Sequence, residues 1–135
     1  MRYILNINDS VICSDELEDI LHEVDEITLF HATTMAEITK LSKEHYFSIL
    51  IIQENPRHNI HKIRALFPHA DTFLLAQNAE AKKISEAFAM GINDVVICRD
   101  PAITSVLLVQ RIHNAIEKRS SERISRIMNS LILNF

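Results

Sequence analysis

The sequence predicts a doubly wound α/β domain, in which a parallel sheet carries helices on both of its faces. Short apolar runs alternate along the 135-residue chain with segments of helical spacing. The runs are continuously apolar, which is typical of parallel strands that are buried on both faces. A chain of this length forms one domain and buries most of its unfolded surface without disulfides or metals.

Five strands are predicted, at residues 3–7, 27–31, 49–52, 72–76 and 95–97. Right-handed crossovers make this a doubly wound sandwich, and analogy with the flavodoxin-like (βα)5 arrangement gives an expected sheet order of 2-1-3-4-5. Four helices are marked by apolar residues at helical spacing: Cys13, Leu17, Ile20, Leu21 and Val24; Met35, Ile38 and Leu41; Ile60, Ile63 and Leu66; Ile84, Ala87 and Phe88.

The fifth helix is predicted to be longer than the sheet that it covers. Gly91 ends the fourth helix, and Asp100 and Pro101 open the fifth as N-cap and first-turn proline. The helical pattern then runs from residue 102 towards 131, whereas strands of this size span only about 17–20 Å. We therefore predict a domain over residues 1–119 and a C-terminal helical extension over residues 120–135.

The extension carries a new apolar stripe after the polar segment 117–126. Four residues form the stripe: Ile124, Ile127, Met128 and Leu131. The stripe is shorter than three heptads, so it suggests a coiled coil without establishing one. A dimerising or signal-transmitting helix is the preferred interpretation, and a frayed tail is the alternative.

Composition excludes several classes of function. The net charge is -4 and no basic run is present, so we expect no nucleic-acid binding by this domain alone. No apolar run approaches membrane-spanning length, and Cys13 and Cys98, which lack metal-type spacing, suit a reducing cytoplasm. Gly91 is the only glycine, so the glycine-rich loops that bind nucleotide phosphates cannot form.

Residues 1–119 resemble a response-regulator receiver domain of the CheY-like family. YILNINDS (3–10) resembles the first strand and its acidic pair, and SILIIQENP (48–56) resembles the third strand with the phosphoacceptor and proline loop. FLLAQNA (73–79) resembles the fourth strand with its hydroxyl position. AMGINDVVICRDP (89–101) resembles the glycine turn and the fifth strand that carries the family's lysine.

The resemblance implies a specific chemistry in orthodox members of the family. An aspartate after strand three accepts a phosphoryl group from a histidine kinase, and two acids after strand one hold Mg²⁺. A Ser or Thr after strand four and a Lys after strand five contact the phosphoryl oxygens. The nucleophile must be a carboxylate, and the hard cation prefers anionic oxygen ligands.

Most of these positions carry unsuitable residues here. The residues at the family's site positions are Asn8 and Asp9 (acidic pair), Gln53 (phosphoacceptor), Ala76 (hydroxyl) and Cys98 (lysine), with Arg99 one residue further on. No aspartate occurs between Glu26 and Ala70, so no shift in the alignment restores the nucleophile. We predict a degenerate pseudo-receiver that is not an enzyme and uses neither metal nor cofactor.

The expected function is a phosphorylation-independent interaction or dimerisation module of two-component signalling. Its partner is a protein, an output domain or a second copy. From the resemblance, its interaction surface is placed on Lys83, Ala87, Met90, Val95, Thr104 and Leu108. Two alternatives stay open: a crevice that senses a small molecule or anion, and a receiver fragment of a larger regulator whose output domain is absent here.

Overall fold

The structure is a computed structural model that describes residues 2–7, 27–54, 59–77, 80–98 and 100–133, with only the backbone at 101 and 133. The predicted first helix, together with Asn8, Asp9 and Arg99, lies outside the described residues.

Five parallel strands form a single sheet. They are β1 (Arg2–Ile7), β2 (Ile27–Ala32), β3 (Ile49–Gln53), β4 (Asp71–Ala76) and β5 (Asp94–Ile97), in the order β2-β1-β3-β4-β5. This confirms the predicted flavodoxin-like topology, with every described strand within one residue of its predicted bounds.

Four helices are described: α1 (Met35–Glu44), α2 (Ile60–Leu66), α3 (Ala81–Ala89) and α4 (Pro101–Leu133). The long C-terminal helix is therefore confirmed. No helix within the described ranges has both the length and the apolar character to cross a membrane, α4 included.

Side-chain caps mark the beginning of α1 and of α4. The Thr34 hydroxyl accepts a hydrogen bond from the Glu37 amide at 3.2 Å at the start of α1. At the start of α4, the Asp100 carboxylate accepts from the Ala102 amide at 2.9 Å, as the Asp-Pro pair predicts. Each cap satisfies an amide that has no partner within its own helix.

The central position of β3 in the sheet explains why the sequence of this strand is continuously apolar. Leu50 and Ile52 point into the core shared with α1, α2 and α3, whereas Ile49 and Ile51 point into the core shared with α4. All four side chains are at most 1% exposed. A strand covered on both faces has no solvent-facing position for a polar residue until it ends at Gln53.

Gly91 follows α3 with a φ of +90°, which is the left-handed region that favours glycine. A Cβ at this position would lie 3.0 Å from the guanidinium of Arg64. That guanidinium donates to the Ala70 carbonyl at 2.9 Å and to the Thr72 hydroxyl at 3.1 Å. The glycine therefore both turns the chain and leaves room for a cation that ties α2 to the start of β4.

The helix α4 is fastened to the amino-terminal edge of the sheet. Arg119 Nε donates to Asp71 Oδ2 at 2.6 Å, and Arg111 pairs with Asp94. This hydrogen bond to Asp71 raises the pKa of Arg119 above its ordinary value. Both acids are the first residues of their strands, so the ion pairs set the position of the helix along the sheet.

The helix passes the predicted boundary at residues 119–120 without a break. Ser120 still accepts a hydrogen bond from Arg2 at 3.3 Å. From residue 121 to residue 132 every side chain is exposed. The described part of the extension is thus a helix that continues beyond the sheet.

Candidate functional site

Three of the predicted site residues meet at the carboxyl edge of the sheet. Gln53 is the last residue of β3 and pairs with Leu75 of β4. Ala76 follows Leu75, and its carbonyl accepts a hydrogen bond at 2.8 Å from the amide of Cys98, just after β5. The ends of three adjacent strands therefore place Gln53, Ala76 and Cys98 along one crevice at this edge, with the Ala76 side chain on the α3 side and those of Gln53 and Cys98 on the α4 side. The other three predicted members, Asn8, Asp9 and Arg99, lie outside the described residues.

Gln53 and Glu54 point to opposite sides of the sheet. The alternation of β3 continues through Gln53, because the Glu54 amide donates to the Leu75 carbonyl at 2.8 Å and extends the ladder. Glu54 Oε1 lies 3.6 Å from Lys83 Nζ of α3. Both side chains are more than a third exposed, so this ion pair stabilises little. The ion pair does hold the Glu54 carboxylate, which is the carboxylate nearest to Gln53 in the sequence, on the α3 side of the sheet.

The crevice is chemically neutral at its described positions. Gln53 is a half-buried amide that takes part in a polar interaction, Ala76 has no hydroxyl, and Cys98 is a half-buried thiol with an interaction of its own. An amide donates and accepts hydrogen bonds but is not a usable nucleophile. Among the residues that the structure describes, no group of three His, Cys, Asp or Glu could hold a metal ion.

A cavity of about 220 Å³ lies beside this edge, between α3 and the strands β4 and β5. Its wall includes Leu74, Ala76 and Val95, with Glu54 and Lys83 among its polar residues. Ligand pockets usually measure about 300–1,000 Å³. The cavity is thus small, and its wall is largely apolar.

Three of the six residues predicted for the interaction surface are buried, which corrects that prediction. Ala87 and Thr104 are each 1% exposed and Leu108 is fully buried. They face the sheet because α3 and α4 use these positions to cover it. Lys83 is exposed, whereas Met90 and Val95 are half-buried, and Val95 packs against the core.

The exposed apolar residues of this region were missed by the sequence prediction. They are Phe88, 47% exposed, and on α4 Ile103 and Val106, each 60% exposed, and Leu107, 43% exposed. Phe88 was expected on the inner face of its helix. Helical spacing from Leu108, Ile112 and Ile116 places residues 103, 106 and 107 on the outer face, so this signal was present in the sequence.

No protein-family model and no curated protein matches the sequence. Solved structures do match the fold. The response regulator DrrB of Thermotoga maritima is 17% identical with a TM-score of 0.70, over 88% of this chain and 54% of that one. A response regulator receiver domain protein from Clostridium thermocellum is 21% identical with a TM-score of 0.65, over 89% and 98%.

A third similar structure comes from Burkholderia pseudomallei and is described as pilus assembly-related. It is 20% identical with a TM-score of 0.59, over 79% of this chain and 87% of that one. This chain therefore has the fold of a response-regulator receiver domain, and it spans about half the length of DrrB.

Proposed function

We propose that this domain is a signalling module of the two-component type that binds other proteins without being phosphorylated on its sheet edge. The observation that carries the proposal is Gln53 at the carboxyl end of the central strand, with Ala76 and Cys98 beside it. Chemical function in a doubly wound sheet is concentrated at this edge.

The requirements of acyl phosphate formation support the proposal. A phosphoryl group bound to the strand end needs a carboxylate oxygen, and the Gln53 amide does not supply one. The adjacent Glu54 points to the α3 side and lies against Lys83. Ala76 cannot offer a hydroxyl to a phosphoryl oxygen, so the step that couples phosphorylation to a change of conformation also lacks its donor. We expect one resting conformation.

The role that remains for the fold is protein interaction. Exposed Ile, Val and Leu side chains on α4 provide apolar surface for a partner protein, an output domain or a second copy. We place the module in the cytoplasm, without a cofactor or an enzymatic activity of its own. The similar pilus assembly-related protein makes a protein assembly of that kind one setting in which to look for partners.

Amide NMR spectra test the proposal. The full chain, labelled with nitrogen-15, is titrated with Mg²⁺ and beryllofluoride, a mimic of the phosphoryl group on aspartate. We expect no change of chemical shift beyond that produced by Mg²⁺ and fluoride alone. Changes clustered at residues 53, 76 and 98 would contradict the proposal.

The small-molecule alternative is tested separately. The cavity beside Ala76 suits a small, mostly apolar ligand better than an anion, since Lys83 is the cation on its wall and is paired with Glu54. A thermal-shift screen with nucleotides and inorganic anions should therefore leave the melting temperature unchanged. A reproducible rise with one of them would favour the sensing role.

A further inference from the structure

The outer face of α4 carries an apolar pattern at both ends of the helix. We define the α4 seam as the residues of this face. Its amino-terminal group is Ile103, Val106 and Leu107, and its carboxyl-terminal group is Ile124, Ile127, Met128 and Leu131. These seven side chains are 43–61% exposed. The seam is therefore a large apolar surface that the fold leaves open to solvent.

The seam follows heptad spacing along the helix. Ile103, Gln110, Glu117, Ile124 and Leu131 recur at every seventh position, and Val106 and Ile127 lie three residues after the first and fourth of them. This is the spacing that keeps one face of a helix against a partner helix. Residues 103 to 131 span roughly 42 Å, and the apolar residues at this spacing lie in the first heptad and from the last heptad to residue 131.

The described residues of the same chain leave this seam uncovered. The side of α4 that faces the sheet is formed by Leu108, Ile112 and Ile116. Beyond them, Arg123 and Arg126 continue that side and line an open polar groove at the amino-terminal edge of the sheet. The apolar stripe of the extension lies off that side and is exposed beside the described residues, so we look for its partner in another chain.

The middle of the seam is polar and internally paired. Gln110 donates to Asn114 at 3.2 Å, and His113 lies 3.1 Å from Glu117. The pattern along the helix is therefore apolar, polar, apolar, with Glu117 at its centre. When two such helices align about that centre, apolar groups meet apolar groups in either orientation, and charge decides between the two.

Charge favours the antiparallel orientation. Residues 117–133 carry four Lys or Arg and two Glu, a net charge of +2, which leaves -6 for residues 1–116 of the chain. A parallel pair would bring two positive extensions together. An antiparallel pair separates the two positive extensions, and it also opposes the two helix dipoles.

We propose that two copies of this chain pair through their α4 helices in antiparallel orientation, with the two-fold axis near Glu117. Residues 124–131 of one copy pack on residues 103–107 of the other. The polar centre weakens the pair, so the dimer forms reversibly with concentration. This assignment rests on the proposed interaction role and names its partner as a second copy.

Sedimentation velocity on the full chain tests the pairing over a range of concentrations. We expect a monomer–dimer equilibrium that Val106→Glu and Ile127→Glu each weaken at least tenfold. Asn129→Glu is the matched control, because Asn129 is exposed on the same helix but lies off the seam. Circular dichroism checks that each variant keeps its helix. A monomer at every concentration, or equal weakening by the control, would overturn the proposal.

A photo-crosslinking amino acid at position 106 tests the orientation. Mixing isotopically heavy and light chains identifies links between copies. We expect links to residues 124–131 of the second copy, whereas links to residues 103–110 would indicate a parallel pair and refute the assignment. These outcomes are independent of the beryllofluoride result. A monomeric chain that ignores beryllofluoride overturns the dimer alone, and a dimeric chain that responds to it overturns the proposed function alone.

Discussion

At the scale of single residues, Gln53 determines the chemistry at the carboxyl edge of the sheet and Gly91 determines the turn after α3. Gln53 makes the carboxyl edge of the sheet neutral where the resemblance places a nucleophile. Gly91 occupies a left-handed conformation beside the Arg64 guanidinium. The type of residue needed at Gly91 could be predicted from its place at a helix end. The neighbouring Arg64 could not, because nothing in the sequence links residues that far apart.

Replacing Gly91 with alanine should destabilise the domain. Gly91→Ala places a Cβ in a left-handed backbone and 3.0 Å from Arg64, which costs about 1–2 kcal/mol in the free energy of unfolding. Urea denaturation followed by circular dichroism measures the loss. Ser85→Ala, at an exposed position of α3, serves as control and should leave stability within about 0.5 kcal/mol. An unchanged midpoint of urea denaturation for Gly91→Ala would contradict the expected backbone strain.

At the scale of elements, the strands were easier to predict than the helix faces. Burial on both faces gives β3 and β4 unbroken apolar runs, and these locate them within a residue. The helix α4 is different, because Thr104 and Ser105 are buried against the sheet while Ile103 and Val106 are exposed. Residue polarity thus gives the wrong face in the first turns of α4, and the resemblance, which placed the predicted interaction surface, does not correct it.

The Asp71–Arg119 ion pair should contribute to the docking of α4. Asp71→Asn keeps the side-chain volume but removes the charge that Arg119 contacts at 2.6 Å. Both groups are partly exposed, so we expect a loss of about 1 kcal/mol in the free energy of unfolding. Urea denaturation measures it, with Glu122→Gln as an exposed control on the same helix. Equal free energies of unfolding for the two variants would show that the ion pair does not stabilise the docking of α4.

At the scale of the whole molecule, the topology followed from the order of strands and helices, whereas the surfaces did not. Right-handed crossovers and one apolar run per strand indicate a doubly wound sheet, and analogy with flavodoxin-like folds supplied its strand order. The outer face of α4 is encoded in the helical spacing, but the sequence shows apolar residues on several sides of that helix, so the burial of Leu108, Ile112 and Ile116 was needed to identify it. The molecule combines a receiver-like sheet, neutral at Gln53, Ala76 and Cys98 of its carboxyl edge, with a long helix that has apolar residues on both its inner and its outer face.

The central claim is that this receiver-like fold works without phosphoryl transfer to its sheet edge. Intact-mass spectrometry after incubation of the full chain with acetyl phosphate and Mg²⁺ tests it most directly. Because no carboxylate stands at Gln53, we predict no increment of one phosphoryl group at any time point. A stoichiometric increment that maps to the peptide containing residues 49–54 would contradict the account.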